Sequence, residues 1–211
     1  RDLGNGDGIG VRRYNGSGNA SDAGVAVGFD GSGFIYVTGR SVGNGTSADV
    51  VTIKYPQFSE NPMPTSWDRV FNGPVNGTDE PVAMHVDANG ITHVLVASEG
   101  LSTDADWVFL KYDANGNSHS SWTSEGEGEG VRRFGSLDAV ADRPHSMVMD
   151  GSGNLYATGT VHPGGTGDDI AVLKMQPDGQ IAWTAFYNGP GNGPDVAVGI
   201  QFDPAGHLVI G

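Results

Sequence analysis

Cysteine is absent from the 211 residues, which excludes a disulfide framework and thiolate metal sites. A zero cysteine count also fits a bacterial secreted protein. Helical periodicity is nowhere visible, and no apolar run approaches the length of a membrane span. Basic residues are scarce: 11 Lys and Arg stand against 25 Asp and Glu, for a formal net charge of −14. That balance opposes nucleic acid and anionic lipid, so neither nucleic-acid binding nor membrane insertion is expected. Charged residues are only 17% of the chain, too few for the dense acidic coat of a salt-adapted protein. The glycine runs carry no Gly-Lys-Ser/Thr, the serines lie in no Gly-x-Ser-x-Gly elbow, and no His-Glu-x-x-His occurs.

What is abundant is glycine, at 35 residues with 11 prolines. Such a mix can mean disorder, but four Trp, six Tyr, eight Phe and regular β-rich runs argue for a packed fold with many tight turns. An Asp-x-x-Gly turn recurs at Asp30, Asp87, Asp150 and Asp203, at intervals of 57, 63 and 53 residues. Each has a second aspartate eight residues upstream: Asp22, Asp79, Asp142 and Asp195. An aromatic stands eight residues before that, at Tyr14, Phe71, Phe134 and Tyr187.

The units read alike. In the first, residues 25–30 form a strand with Val25, Val27 and Phe29 in alternation, the period of a half-buried strand. Asp30 turns the chain, residues 34–39 return, and 49–55 and 67–71 supply a third and a fourth strand. The second unit gives 82–87, 91–96 and 106–112, then Trp122 with a long insertion before Phe134. The third gives 147–150, 154–159, 169–175 and 183–187. A repeating four-stranded antiparallel unit of this length is the sequence image of a β-propeller blade. The expected fold is therefore an all-β, β-propeller region over 1–211. Repeats span 22–78, 79–141 and 142–194, and partial ones 1–21 and 195–211. About four blades' worth is present, and because residues 208–211 break off mid-blade the chain is expected to be part of a larger propeller rather than a ring closed by its own two ends.

These residues resemble the bacterial seven-bladed β-propeller repeat family (SBBP repeats). The third unit carries the pattern at Asp142, Asp150, Gly153, Asn154, Tyr156, Thr158, Gly159, Lys174, Gly179, Trp183, Tyr187, Asn188 and Gly189. The first matches at Asp22, Asp30, Gly33, Tyr36, Val37, Thr38, Gly39, Lys54, Tyr55, Trp67, Phe71, Asn72 and Gly73. The second departs at His93, where Tyr is expected, and the third at Met175. The resemblance implies a module of a large secreted protein; the partners expected of it, outside the cell or at its surface, are protein or glycan, further blades or identical subunits.

One residue type at one place in every unit points to a shared structural job, whereas catalysis breaks symmetry. The turn aspartates are thus read as turn formers, and Asp22, Asp79, Asp142 and Asp195 as ties to loop amides. A second motif, Asn-Gly-x-x-Asn-x-x-Asp, places Asn19 with Asp22, Asn76 with Asp79 and Asn192 with Asp195, while Asp138 pairs with Asp142. Oxygen ligands so spaced are calcium candidates; the competing reading is a turn whose amide side chains satisfy the backbone. Asp49, Asp104, Asp106, Asp168 and Asp169 are read as a solvated acidic rim. The histidines His85, His93, His119, His145, His162 and His207 are scattered. Arg12, Arg13, Arg132 and Arg133 occupy one repeat position twice and look structural. Trp67, Trp122 and Trp183 are expected to pack between blades, with Trp107 outside that register and free for a surface role. No catalytic residue and no further cofactor is assigned. The leading functional expectation is a non-enzymatic extracellular scaffold or adhesion module; the alternative is a propeller glycoside hydrolase or polysaccharide lyase.

Overall fold

The computed structural model describes residues 12–57, 65–101, 104–124, 127–135, 140–163 and 167–211. It is all-β, with no helix among those residues. Strands β1 (Asp22–Phe29), β2 (Ile35–Val42), β3 (Ala48–Tyr55) and β4 (Trp67–Phe71) form the first antiparallel sheet in that order. The second contains β5 (Asp79–Val86), β6 (Thr92–Glu99) and β7 (Ala105–Tyr112). A small hairpin, β8 (Thr123–Ser124) and β9 (Gly128–Glu129), interrupts it before β10 (Val131–Phe134) pairs with β7. The third is β11 (Arg143–Met149), β12 (Leu155–Val161), β13 (Asp169–Met175) and β14 (Ile181–Tyr187). A last hairpin, β15 (Ile200–Phe202) and β16 (Leu208–Ile210), begins a fourth.

Each sheet is a meander because a tight turn joins successive strands. Asp30 Oδ1 accepts the Ser32 and Phe34 amides at 2.9 and 3.0 Å, and Asp87, Asp150 and Asp203 repeat the arrangement. The glycine three residues on takes φ near +81 to +86° each time, a region open to Gly without steric cost. The first strand of each four-stranded sheet also carries one bulge at the same place, between Gly24 and Ala26, Pro81 and Ala83, and Pro144 and Ser146. A bulge leaves one residue outside the ladder, so Pro81 and Pro144 sit beside a break in pairing, where a missing N–H costs least.

The sheets pack face to face. Tyr36, Val50, Trp67 and Phe71 of the first meet Val94, Val96, Val108 and Leu110 of the second. Leu95, Trp107, Phe109 and Trp122 of the second meet Leu155, Ala157, Leu173 and Met175 of the third. Alternating residues thus serve both faces of the middle sheet, whose β6 and β7 read as near-continuous apolar runs.

Three expectations are corrected. Val25, Val27 and Phe29 are exposed rather than half-buried, because they face the side of the first sheet on which no other described sheet packs. Their counterparts Met84 and Val86 do reach the core. The fourth strand of the second sheet is β10, and Trp122 precedes the β8–β9 excursion instead of lying in that strand. Trp107 has no surface role: it is fully buried, edge-on to Phe134 at 5.4 Å. Its ring fills the space that a Cβ on Gly159 would need, 2.7 Å from the nearest ring carbon.

Candidate interaction site at the junctions between sheets

One contact recurs wherever two complete sheets meet. At the first junction the Lys54 ammonium and the Trp67 indole N–H both donate to the Ala114 carbonyl, at 3.0 and 3.1 Å. At the second, Lys111 and Trp122 donate to the Pro177 carbonyl at 2.7 and 3.1 Å. Ala114 and Pro177 belong to the turn after the third strand of the following sheet. The same turn sets a glycine against the tryptophan ring: a Cβ on Gly116 would lie 2.7 Å from Trp67, and one on Gly179 2.8 Å from Trp122. Both glycines have positive φ, +79° and +85°, so space and backbone each demand glycine.

Trp67 and Trp122 reach equivalent slots by different routes. Trp67 pairs with Lys54 inside the ladder. In the second sheet the Lys111 amide donates instead to the Gly130 carbonyl, and the Gly130 amide to the Trp122 carbonyl at 2.7 Å. Gly130 therefore takes the backbone place and Trp122 supplies the ring from the mouth of the excursion. Buried aromatics with a polar edge are suited to this work, since the N–H finds a partner while the ring fills the wedge. The lysines complete it, with Lys54 5.0 Å above the Tyr36 ring and Lys111 5.0 Å above Trp122.

A third pair, Lys174 and Trp183, is assembled on the outer face of the third sheet. Lys174 lies 5.1 Å over Tyr156, and Trp183 stands 6.2 Å from the same ring. Among the described residues no carbonyl meets either donor. Trp183 is 40% exposed, whereas Trp67 and Trp122 are at 8% and 0%.

The opposite ends of the strands carry the Asn motifs. Asn15 donates through its side chain to Asn19 Oδ1, Asn72 to Asn76 and Asn188 to Asn192, at 2.7, 2.7 and 3.0 Å. Asn19, Asn76 and Asn192 take φ of 49, 53 and 48°, where Asn is the best tolerated side chain after Gly. The amides of Gly16, Gly73 and Gly189 donate to Asp22, Asp79 and Asp195 at 3.2, 2.7 and 2.6 Å. Each calcium candidate in these loops thus already accepts a protein donor. Asp142 receives the His162 amide at 2.8 Å, and Asp138 lies outside the described residues. Among the described residues no group of three or more His, Asp or Glu is spaced to hold a metal ion.

The expected acidic rim is half wrong. Asp49, Asp106 and Asp169 begin third strands and are buried, while Asp104 is exposed and Asp168 half-buried. Each buried one pairs across to a second-strand residue, Ser41, Ser98 or Val161, and the first two of these pair onward to Asp22 and Asp79. Burial raises the carboxyl of Asp49, and it pushes Asp79 up to about 6 against the Gly73 amide and Ser98 hydroxyl that favour its charged form. Arg133 relieves the second sheet: it reaches the Ser98 carbonyl at 2.7 Å, Asp106 at 3.1 Å and Glu127 at 2.5 Å. Arg132 donates to the Thr123 carbonyl. These arginines hold the β8–β9 excursion in place, the structural role expected of them.

His85 and His93 face each other across β5 and β6, while His162 and His207 lie in other parts of the fold. His93, in the slot of Tyr36 and Tyr156, is pushed down to about 3 by burial, with Lys111 adding to it, and is neutral. His162 contacts Asp168 at 3.1 Å and His207 contacts Asp203 at 2.9 Å, in different parts of the fold. The lysine of each latch was legible as a recurring residue, but its role was not, because the carbonyl acceptor has no sequence signature. No family model matches the chain, and no curated protein matches it either.

Proposed function

We infer that the three face-packed sheets and the hairpin after them are blades of a β-propeller, and that the chain is a non-enzymatic extracellular binding or scaffold module. The observation that carries this reading is the repetition of one junction. Lysine, tryptophan, turn carbonyl and glycine recur with the same partners, which is how a stacked array is held rather than how a reaction centre is built. The likeness of its repeat to the SBBP pattern supports the same class and a secreted or surface location. The Asn loops act as closed turn modules, and the neighbouring loops 43–47, 100–104 and 162–168 differ in sequence, with Asn44, Ser47, Leu101, Asp104 and Pro163 exposed among their described residues. Those loops are the surface offered to a protein or glycan partner.

The test is a paired assay on purified chain. A panel of bacterial and host polysaccharides and surface proteins is screened for binding and, in parallel, for chain cleavage or unsaturated product. Saturable binding without turnover, abolished by replacing loop 162–168, is the expected result. Release of reducing ends or unsaturated sugars by the intact chain would replace this reading with a hydrolase or lyase.

A further inference from the structure

Asn-Gly occurs eight times among the described residues, and the fold treats one copy unlike the rest. In this dipeptide the glycine nitrogen can attack the asparagine side-chain carbonyl, because glycine has no Cβ to restrict the approach. Reaction needs a glycine N–H not held by an acceptor, an asparagine side chain free to turn, and access for water.

At Asn15, Asn72 and Asn188 the next amide, of Gly16, Gly73 or Gly189, donates to an aspartate, and the asparagine side chain is itself tied four residues on. At Asn89 and Asn115 the following glycine is buried, and its amide donates to the carbonyl of Asp87 or Asp113 at 3.0 and 2.9 Å. Asn76 and Asn192 lie in the left-handed region, at φ of 53 and 48°, and Oδ1 of each accepts from the asparagine four residues before. Among the described residues Asn44 has none of these restraints. It and Gly45 are exposed in the loop between β2 and β3, where the Asn44 backbone amide donates to Ser17 Oγ at 3.2 Å. A Cβ on Gly45 would meet nothing within 4 Å.

We propose that Asn44 is a self-modification site, converting to aspartate and isoaspartate with water as the co-reactant. The Gly45 nitrogen gives up its proton and bonds to the Asn44 side-chain carbonyl carbon. The bond from that carbon to the side-chain nitrogen breaks, and ammonia leaves with a proton, closing a succinimide ring. Water then opens one of the two C–N bonds of the ring. One opening yields aspartate; the other yields isoaspartate, in which the backbone runs through the former side chain. Either product adds a negative charge to loop 43–47, and isoaspartate also lengthens its backbone. That loop leans on the Asn loop of the next sheet, where the Ser47 amide donates to the Asn76 carbonyl at 3.4 Å. The rim surface at this loop thus changes chemically as the protein ages. The step needs no partner, so it stands apart from the binding-module reading.

The test is peptide mapping of the purified full chain held at mildly alkaline pH, once folded and once in urea. Cleavage after Arg and Lys releases residues 41–54, in which Asn44 is the only asparagine. The amide-to-acid mass gain and labelling by isoaspartyl methyltransferase are read for each fragment, with tandem fragmentation separating neighbouring asparagines. Expected in the folded chain is conversion at Asn44 at least fivefold faster than at any of the other seven positions, with both acid products present. In urea that gap should close, since the dipeptide is then the same everywhere and the hydrogen bonds that hold the other copies are gone. Equal rates in the folded chain, or another asparagine converting first, overturn the proposal. A gap of the same size in urea overturns it too, because sequence and not the fold would then set the rate.

Discussion

The first and second sheets place an aspartate at the same point, Asp49 and Asp106, yet handle its charge in different ways. Asp106 meets the Arg133 guanidinium at 3.1 Å, and that arginine also reaches Ser98 and Glu127. The corresponding residue of the first sheet is Val70, which is exposed, and among the described residues Asp49 accepts from the Thr46 hydroxyl at 2.7 Å with no cation beside it. The backbone is repeated, while its electrostatic balance is set sheet by sheet. A buried charge without an opposite charge shifts toward its neutral form, so the sheets should answer differently to pH and to mutation.

The largest effect is expected from Arg133→Met. Removing one partner of a buried ion pair strands Asp106 and Glu127, at a cost of roughly 3–5 kcal/mol in urea unfolding. The same change at exposed Arg13 should cost far less.

Next comes Asp79→Asn, read against pH. The folded protein holds the Asp79 proton up to about pH 6, against 3.8 for the ordinary group. The unfolded chain therefore loses that proton first, and the wild type loses stability as pH rises from about 4 through 6. The amide keeps an acceptor for Gly73 without the buried charge. The variant should be more stable at pH 7.5, by up to about 3 kcal/mol from the size of the shift, with the gain gone near pH 4. A gain of the same size at both pH values would point to packing instead.

Sharpening the comparison means supplying the missing cation. Val70→Arg puts a guanidinium beside Asp49 and Ser41 and should raise stability by about 1 kcal/mol at pH 7, with no change at pH 3. The smallest effects belong to solvent. Arg40→Ala removes an exposed pair with Glu80 at 2.6 Å and should cost under about 1 kcal/mol. Chelation with EDTA should leave the melting temperature within error, since Asn19, Asn76 and Asn192 and one oxygen each of Asp22, Asp79 and Asp195 already have protein donors; a calcium-specific loss would make those loops metal sites.

Much of this was legible in the sequence where the cause is local. An Asp-x-x-Gly turn is fixed by a side chain and a glycine within five residues, so Asp30, Asp87, Asp150 and Asp203 read correctly. The Asn loops are of the same kind. What escaped depends on partners far along the chain. Trp107 is buried because Gly159 leaves a hollow in the next sheet, and Lys111 matters because the Pro177 carbonyl stands opposite. Alternation in β1 predicted burial for Val25, Val27 and Phe29, but alternation marks only which side a residue faces, not whether another sheet covers it. The excursion before β10 hid because Trp122 keeps its ring in place while its backbone leaves the ladder.

Hydrogen–deuterium exchange of the four indole N–H groups, resolved by nitrogen-15 NMR, tests the repeated junction most directly. Slow exchange is predicted for Trp67 and Trp122, which donate to Ala114 and Pro177, with Trp183 exchanging within the dead time. Trp183 as protected as those two, or Trp67 and Trp122 as fast as Trp183, would contradict it.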